Sequence, residues 1–269
     1  LGTSQSSFAT ATQPTAGAAS SVFAATGGTL SVVCGRISYA LELHGSCLSV
    51  DTACSATPGA LHGSSSAVKL RECVSGMACG VGFLLNPGTF AAFGAAGMLS
   101  ARGRCHTFDS RADGYCRAEG CVAVMVDEAG RASHDELATI LGTAAQQDGA
   151  SASLTAPNGS SQRRLYGSVQ ARAHARASEV GCMEAHGTGT DLGDPIEVGS
   201  AVGAFGDRRE SREGGGALVC GSVKANAGHM ECVAAGGGLG TAAYGMLARA
   251  VVAPGAQLRA LNSRLGAMV

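Results

Sequence analysis

Tryptophan is absent and aromatic residues make up only 4% of the 269 residues, so large ring stacks cannot dominate the core. Charge is also scarce. Only 14% of residues are Asp, Glu, Lys or Arg, and the formal net charge is −1. That balance leaves neither a basic face for nucleic acid nor an acidic tail. Lysine is nearly missing: Lys69 and Lys224 occur, and every other basic residue is arginine. No apolar run approaches the roughly twenty residues that cross a bilayer, so no membrane span is expected. The chain starts Leu1-Gly2-Thr3, without Met, a basic leader or a cleavage site, and reads as an excised piece. Eleven cysteines occur without any C-x-x-C pair or alternating Cys/His spacing. An odd number scattered through apolar runs excludes a disulfide framework and a zinc module, and fits a reducing, intracellular setting, cytoplasmic or organellar.

What is present is small and apolar. Hydrophobic residues reach 45%, and 41 glycines carry no collagen period, so they mark tight turns and close packing. Residues 1–30, rich in Ser, Thr, Ala and Gly, read as a loop-dominated segment. A short helix is expected over 31–43, a buried strand over 47–53, and a helix after Cys54 with Pro58 awkward in its first turn. Beyond it the pattern predicts a strand at 76–85, a helix at 87–99, strands at 121–127 and 137–146, and a helix at 162–178. A strand at 180–185, a helix at 194–205, a strand at 218–223 and a glycine-spotted helix at 231–250 follow. Strands alternating with helices and apolar on both faces imply an α/β layered fold with mostly parallel sheets.

In such sheets sites gather at strand ends. Three stretches stand there. Cys54, in Asp51-Thr-Ala-Cys-Ser55, sits where a strand breaks into a helix, and a helix N-terminus favours thiolate. The same context also suits a small buried hydrophobe. His186-Gly-Thr-Gly-Thr190 sets an imidazole beside two glycines, which allow a substrate close to backbone, and two hydroxyls. Gly193-Asp-Pro-Ile-Glu197 is a helix start in its own right, yet Glu197, one turn in, is placed to pair with a lysine. Ser222-Val-Lys-Ala-Asn-Ala-Gly-His229 puts Lys224 and His229 in one polar loop, suited either to a cleft or to a solvated surface. His44, His62, His106, His134 and His174 lack such settings and are assigned structural roles. Phosphate-loop and dinucleotide patterns are absent.

These three segments, in this order, resemble the signature motifs of β-ketoacyl synthases. Gly35-Arg-Ile-Ser-Tyr39, Gly103-Arg-Cys-His-Thr-Phe-Asp109, Asp113-Gly-Tyr115 and Leu154-Thr-Ala-Pro-Asn-Gly159 are more similar to ketosynthase domains of type I polyketide synthases than to those of animal fatty acid synthases. The resemblance runs from about Ser31 onward. It implies a thiolase-like layered αβαβα fold, incomplete at both ends: the close of an N-terminal half at about 1–130 and the opening of a C-terminal half at about 131–269. The family's glycine- and phenylalanine-rich closing segment has no counterpart before Val269.

As the resemblance implies, Cys54 takes an acyl chain from a carrier-protein phosphopantetheine thioester. His186 and His229 then stabilise the enolate formed by decarboxylation of a malonyl-type thioester, and the carbanion attacks the acyl-cysteine. Lys224, paired with Glu197, supports the His229 loop, while Thr188 and Thr190 contact the pantetheine arm. No metal or bound cofactor is implied. The expected partners are acyl carrier protein and a second copy of the chain in a homodimer. Pro58 replaces a usually bulky apolar residue and Ala227 a larger aliphatic one. The alternatives are a non-elongating ketosynthase that only transfers acyl chains, and a scaffold-like homologue.

Overall fold

The computed structural model describes residues 1–2, 24–27, 29–131, 136–206, 218–247 and 258–265. The loop expected over 1–30 lies largely outside these residues, as does His134. The chain divides into two compact units, one built from residues 1–98, 117–134 and 230–237, the other from 99–116, 135–229 and 238–269. Among the described residues no helix is long and apolar enough to cross a membrane.

In the first unit, helix α1 (Leu30–Ala40) precedes an extended segment, a 3-10 turn at Ala53–Ser55 and helix α2 (Ala56–Lys69). Pro58 is the third residue of α2, inside the turn whose N–H groups have no helical acceptor, so it costs no hydrogen bond. Strand β1 (Ser75–Gly82) and strand β2 (Gly120–Asp127) pair antiparallel, Ser75 opposite Asp127 and Gly82 opposite Gly120. The expectation of mostly parallel pairing fails here, because apolar alternation encodes which face is buried and not strand direction. Burial on both faces fails too: β2 alternates, with Cys121, Ala123, Met125 and Asp127 exposed and the valines between them turned inward. The glycines of β1 admit α2. A methyl group on Gly76 would lie 2.2 Å from Ser64 Oγ.

The strand expected at 47–53 is extended chain with one bridge, Val50 to Gly2, since among the described residues only Leu1 and Gly2 run beside it. Helix α3 (Pro87–Ala95) is fixed by its start: the Asn86 side chain accepts from Gly88 N at 2.8 Å, and Pro87 opens the first turn.

In the second unit, helix α4 (Gly159–Ala173) is capped by Asn158, whose Oδ1 accepts from Ser160 N and Ser161 N. It starts three residues earlier than expected and ends at His174, which turns left-handed at φ 51°. Helix α5 (Gly193–Phe205) packs along α4, with Tyr166 and Phe205 rings 5.3 Å apart. Strands β3 (Cys182–Glu184) and β4 (Val219–Gly221) pair parallel. The strand expected at 137–146 does not form. Leu137 and Leu141 are exposed there, so burial gives no reason for a ladder. Helix α6 (Ala234–Leu247) follows a 3-10 turn at Glu231–Val233.

Candidate active site

Cys54 stands in the first unit, at the centre of the Ala53–Ser55 turn, and is half-buried. The turn is strained at its first residue, Ala53, whose φ is 50°. A left-handed alanine costs about 1–2 kcal/mol and persists only where neighbours over-determine it. Two of the contacts that fix it are local. Asp51 Oδ1 accepts from Ala53 N at 3.2 Å, and Ser55 Oγ donates to Thr52 O at 2.8 Å. The result is a sharp elbow that projects Cys54 one residue ahead of Ser55, the N-cap of α2.

His186, Thr188, Thr190, Glu197, Lys224 and His229 stand in the second unit. Ala185 N donates to Gly221 O at 2.7 Å, extending the β3–β4 pairing to the residue before His186. Glu197, one turn into α5, aims its carboxylate back at the strand end and accepts from His186 N at 2.6 Å and Gly187 N at 2.9 Å. Asp194 does the same for the next turn, accepting from Gly189 N at 3.1 Å and Phe108 N at 2.8 Å. The helix-start motif thus serves to hold the His186–Thr190 loop.

Gly187 and Gly189 have positive φ of 46° and 76°. Methyl groups on them would lie 2.6 Å from Thr107 Cγ2 and 2.6 Å from His106 N. On the side where a Cβ would stand, they admit the 105–107 segment to the loop backbone. Thr107 Oγ1 closes that contact on Gly187 O at 2.5 Å. Thr188 is buried, with its hydroxyl 3.5 Å from that of Thr190, which also accepts from Gly193 N.

Lys224 begins a single helical turn, Lys224–Ala227, after β4 and is buried. Gly228, at φ 80°, then reverses the chain into His229, whose N–H donates to Cys116 O at 2.7 Å. The buried His229 ring stands edge-on to His186, perpendicular to it with centroids 5.6 Å apart, and 4.9 Å from Tyr115. Burial, helped by the His186 and Lys224 charges, lowers the His229 pKa to about 3. The His186 ring remains open to water but is crowded by protein; desolvation and Lys224 lower its pKa to about 4, a smaller depression than at His229. Both imidazoles are therefore neutral at neutral pH, each with one N–H to donate. Burial raises the Glu197 pKa against the pull of its two amides and of Lys224.

Tyr115, Asp194 and Thr107 join this arrangement without having been expected in it. Asp194 has a signal in its position before Pro195; Thr107 and Tyr115 stand in the segments 103–109 and 113–115 that carry the family resemblance, without a role assigned to either.

The sequence matches "Beta-ketoacyl synthase, N-terminal domain" over residues 1–132 and "Beta-ketoacyl synthase, C-terminal domain" over 137–259. The chain belongs to the β-ketoacyl synthase family. It is 45% identical to polyketide synthase GfsA of Streptomyces halstedii over 217 residues, which are 80% of this chain and 3% of that protein. With erythronolide synthase EryA2 of Saccharopolyspora erythraea it shares 40% identity over 216 residues, 79% of this chain and 6% of that protein. Its fold is similar to the oxazolomycin ketosynthase domain OzmH KS7 of Streptomyces albus JA3453, with TM-score 0.83 and 32% identity, covering 90% of this chain and 43% of that one. The chain thus spans a small part of the curated relatives and under half of the solved domain. The thiolase-like α/β class expected from the sequence is the class of these neighbours.

Proposed function

We propose that the chain carries the reacting residues of a polyketide β-ketoacyl synthase, and that Cys54, His186 and His229 act on one pair of thioesters. The observation that carries this reading is the perpendicular pair of neutral imidazoles, His186 and His229. Two neutral imidazoles side by side, each with an N–H to donate, suit an oxygen that gains charge during reaction, and neither is in a state to protonate it outright.

The Cys54 thiolate attacks the carbonyl of an acyl thioester borne on the phosphopantetheine of a carrier protein. A new S–C bond forms, the pantetheine sulfur leaves with the bonding pair, and it takes up a proton. A malonyl-type carrier thioester follows. Its carboxylate departs as carbon dioxide, and the electrons of the broken C–C bond pass to an enolate whose oxygen accepts from His186 and His229. The enolate carbon attacks the acyl-Cys54 carbonyl and the cysteine sulfur leaves, regenerating thiolate and a carrier-bound β-ketoacyl chain. Thr188 and Thr190 contact the pantetheine arm. Lys224, paired with Glu197, sets the charge around both imidazoles, and no metal or bound cofactor takes part. The chain supplies residues 1–130 of one half and 131–269 of the other half of a ketosynthase that works as a homodimer.

The test is product analysis with an acyl donor and malonyl carrier protein. A carrier-bound β-ketoacyl product that is lost in Cys54→Ala, His186→Ala and His229→Ala is expected. Acyl-Cys54 without product in the parent protein would replace this reading with acyl transfer alone, and no acylation would leave a scaffold.

A further inference from the structure

Thr57 and Cys232 are buried polar groups that this mechanism does not use. Thr57, three residues beyond Cys54 in the first turn of α2, is 2% exposed, and its hydroxyl donates to Cys232 O at 2.5 Å. The acceptor lies 175 positions away in sequence, so the bond is tertiary and not the usual return of a helical threonine to its own preceding turn. Cys232, 1% exposed, donates through Sγ to Val81 O of β1 at 2.9 Å. The pair therefore links the nucleophile helix, the Glu231–Val233 turn and the sheet in one relay.

The surroundings are cut to fit it. A methyl group on Gly80 would stand 2.2 Å from Thr57 Oγ1, and one on Gly236 would stand 3.1 Å from Thr57 Cγ2. Ala56 and Val233, fully buried, close over Cys232. The Ala53–Ser55 turn just before α2 also packs on the Glu231–Val233 turn, and each of these two turns opens with a left-handed residue that is not glycine: Ala53 at φ 50° and Glu231 at φ 49°. Glu231 is tethered by two side-chain nitrogens of Arg117, Nε and Nη2. Ala53 has no comparable side-chain anchor of its own. Strain of this kind survives where the adjoining structure fixes it.

We infer that Thr57 and Cys232 are positioning residues for Cys54, latching the first turn of α2 to the Glu231–Val233 turn so that the strained elbow keeps the thiol in its attacking geometry. The inference rests on the proposed role of Cys54 as nucleophile. Thr57 supplies the hydrogen bond and Cys232 anchors its acceptor to β1. Losing the bond unlatches the first turn of α2 from Cys232 O and frees the elbow to relax, which moves the thiol away from its helix terminus.

The experiment compares Thr57→Val, which keeps the shape and removes the hydroxyl, with Thr57→Ser, which keeps the hydroxyl. Two readouts are taken on the full chain: acylation of Cys54 by an acyl thioester, and the pH profile of Cys54 alkylation by iodoacetamide, both located by peptide mass spectrometry. Thr57→Val is expected to slow acylation roughly ten-fold, to shift the alkylation midpoint upward, and to leave the KM for the acyl donor unchanged, with Thr57→Ser close to the parent. Parent-like acylation and an unmoved midpoint in Thr57→Val overturn the inference, as does equal impairment in Thr57→Ser. If the parent protein alkylates but never acylates, the proposed reaction fails; the alkylation midpoint then decides the positioning role by itself. Should Thr57→Val not fold by circular dichroism, Thr57→Ala takes its place in the same comparison.

Discussion

Replacing Arg117 with alanine is expected to be among the most damaging single changes in the first unit. The Arg117 side chain is fully buried and pairs with Glu231 through two nitrogens, the second at 3.0 Å. Its guanidinium also lies over two rings, 4.4 Å from the centre of Phe90 and 5.3 Å from that of Phe93. Alanine removes the countercharge from Glu231, which is only 21% exposed, and leaves the left-handed turn without its tether. Breaking one side of a buried pair costs about 3–5 kcal/mol, and lost cation–π contact adds about 0.5–2 kcal/mol. For a unit of this size that corresponds to a fall in melting temperature of roughly 10–20 °C. Lysine does not rescue it, because a point charge cannot reproduce two parallel N–H bonds. The double variant Arg117→Met/Glu231→Leu removes both charges and recovers most of the loss. Differential scanning calorimetry of the parent, both single variants and the double variant reads the cycle. A shift below about 3 °C for Arg117→Ala, or additive losses in the double variant, would refute the assignment of this pair as a buried, coupled tether.

Four further outcomes follow from the second unit. Glu197→Gln sets an amide N–H2 against one of the two backbone donors that the carboxylate receives, and is expected to lower condensation more than acylation of Cys54, as separate product and adduct measurements will read. Acidification is expected to destabilise the unit: with pKa values of about 4 and 3 in the fold, His186 and His229 bind protons later than the unfolded chain does near 6.5. Stability from this source is complete above that value and drains as pH falls toward 4, which urea titrations at stepped pH will show. His106 is 5% exposed and neither ring nitrogen has a partner among the described residues, so His106→Leu is expected to leave the melting temperature unchanged or raise it. Asn158→Ala removes the acceptor for two N–H groups of α4 and is expected to cost about 1 kcal/mol in chemical denaturation.

The helices were the most legible part of the sequence, and the reason lies at their starts. Asn86 caps α3 just before Pro87, and Pro195 stands in the first turn of α5, so both helices begin within a residue of expectation. Asn158 is equally explicit, yet the sequence pattern puts the α4 start three residues late because Gly159 and two serines carry no helical periodicity. Strand direction could not be read. The valines of β2 specify an inward face, and an antiparallel partner satisfies that as well as a parallel one. The motif residues of the candidate site were visible as types at strand ends, but their local function was not. Gly187 and Gly189 read as room for a ligand, and on the side of their missing Cβ atoms they make room for Thr107 and His106. Asp194 looked like a helix cap and instead holds the His186–Thr190 loop. The left-handed Ala53 and Glu231 carried no signal at all, since neither residue type favours that conformation and tertiary packing imposes it.

Location of the first covalent adduct tests the central claim most directly. The full chain is incubated with an acyl carrier thioester, quenched in acid, and every cysteine-containing peptide is analysed by mass spectrometry. The account predicts an acyl mass shift on the peptide bearing Cys54 and on none of the other ten cysteine positions, abolished in Cys54→Ala and chased into carrier-bound product by malonyl carrier protein. An adduct on a different cysteine, or product formed by Cys54→Ala, would contradict it.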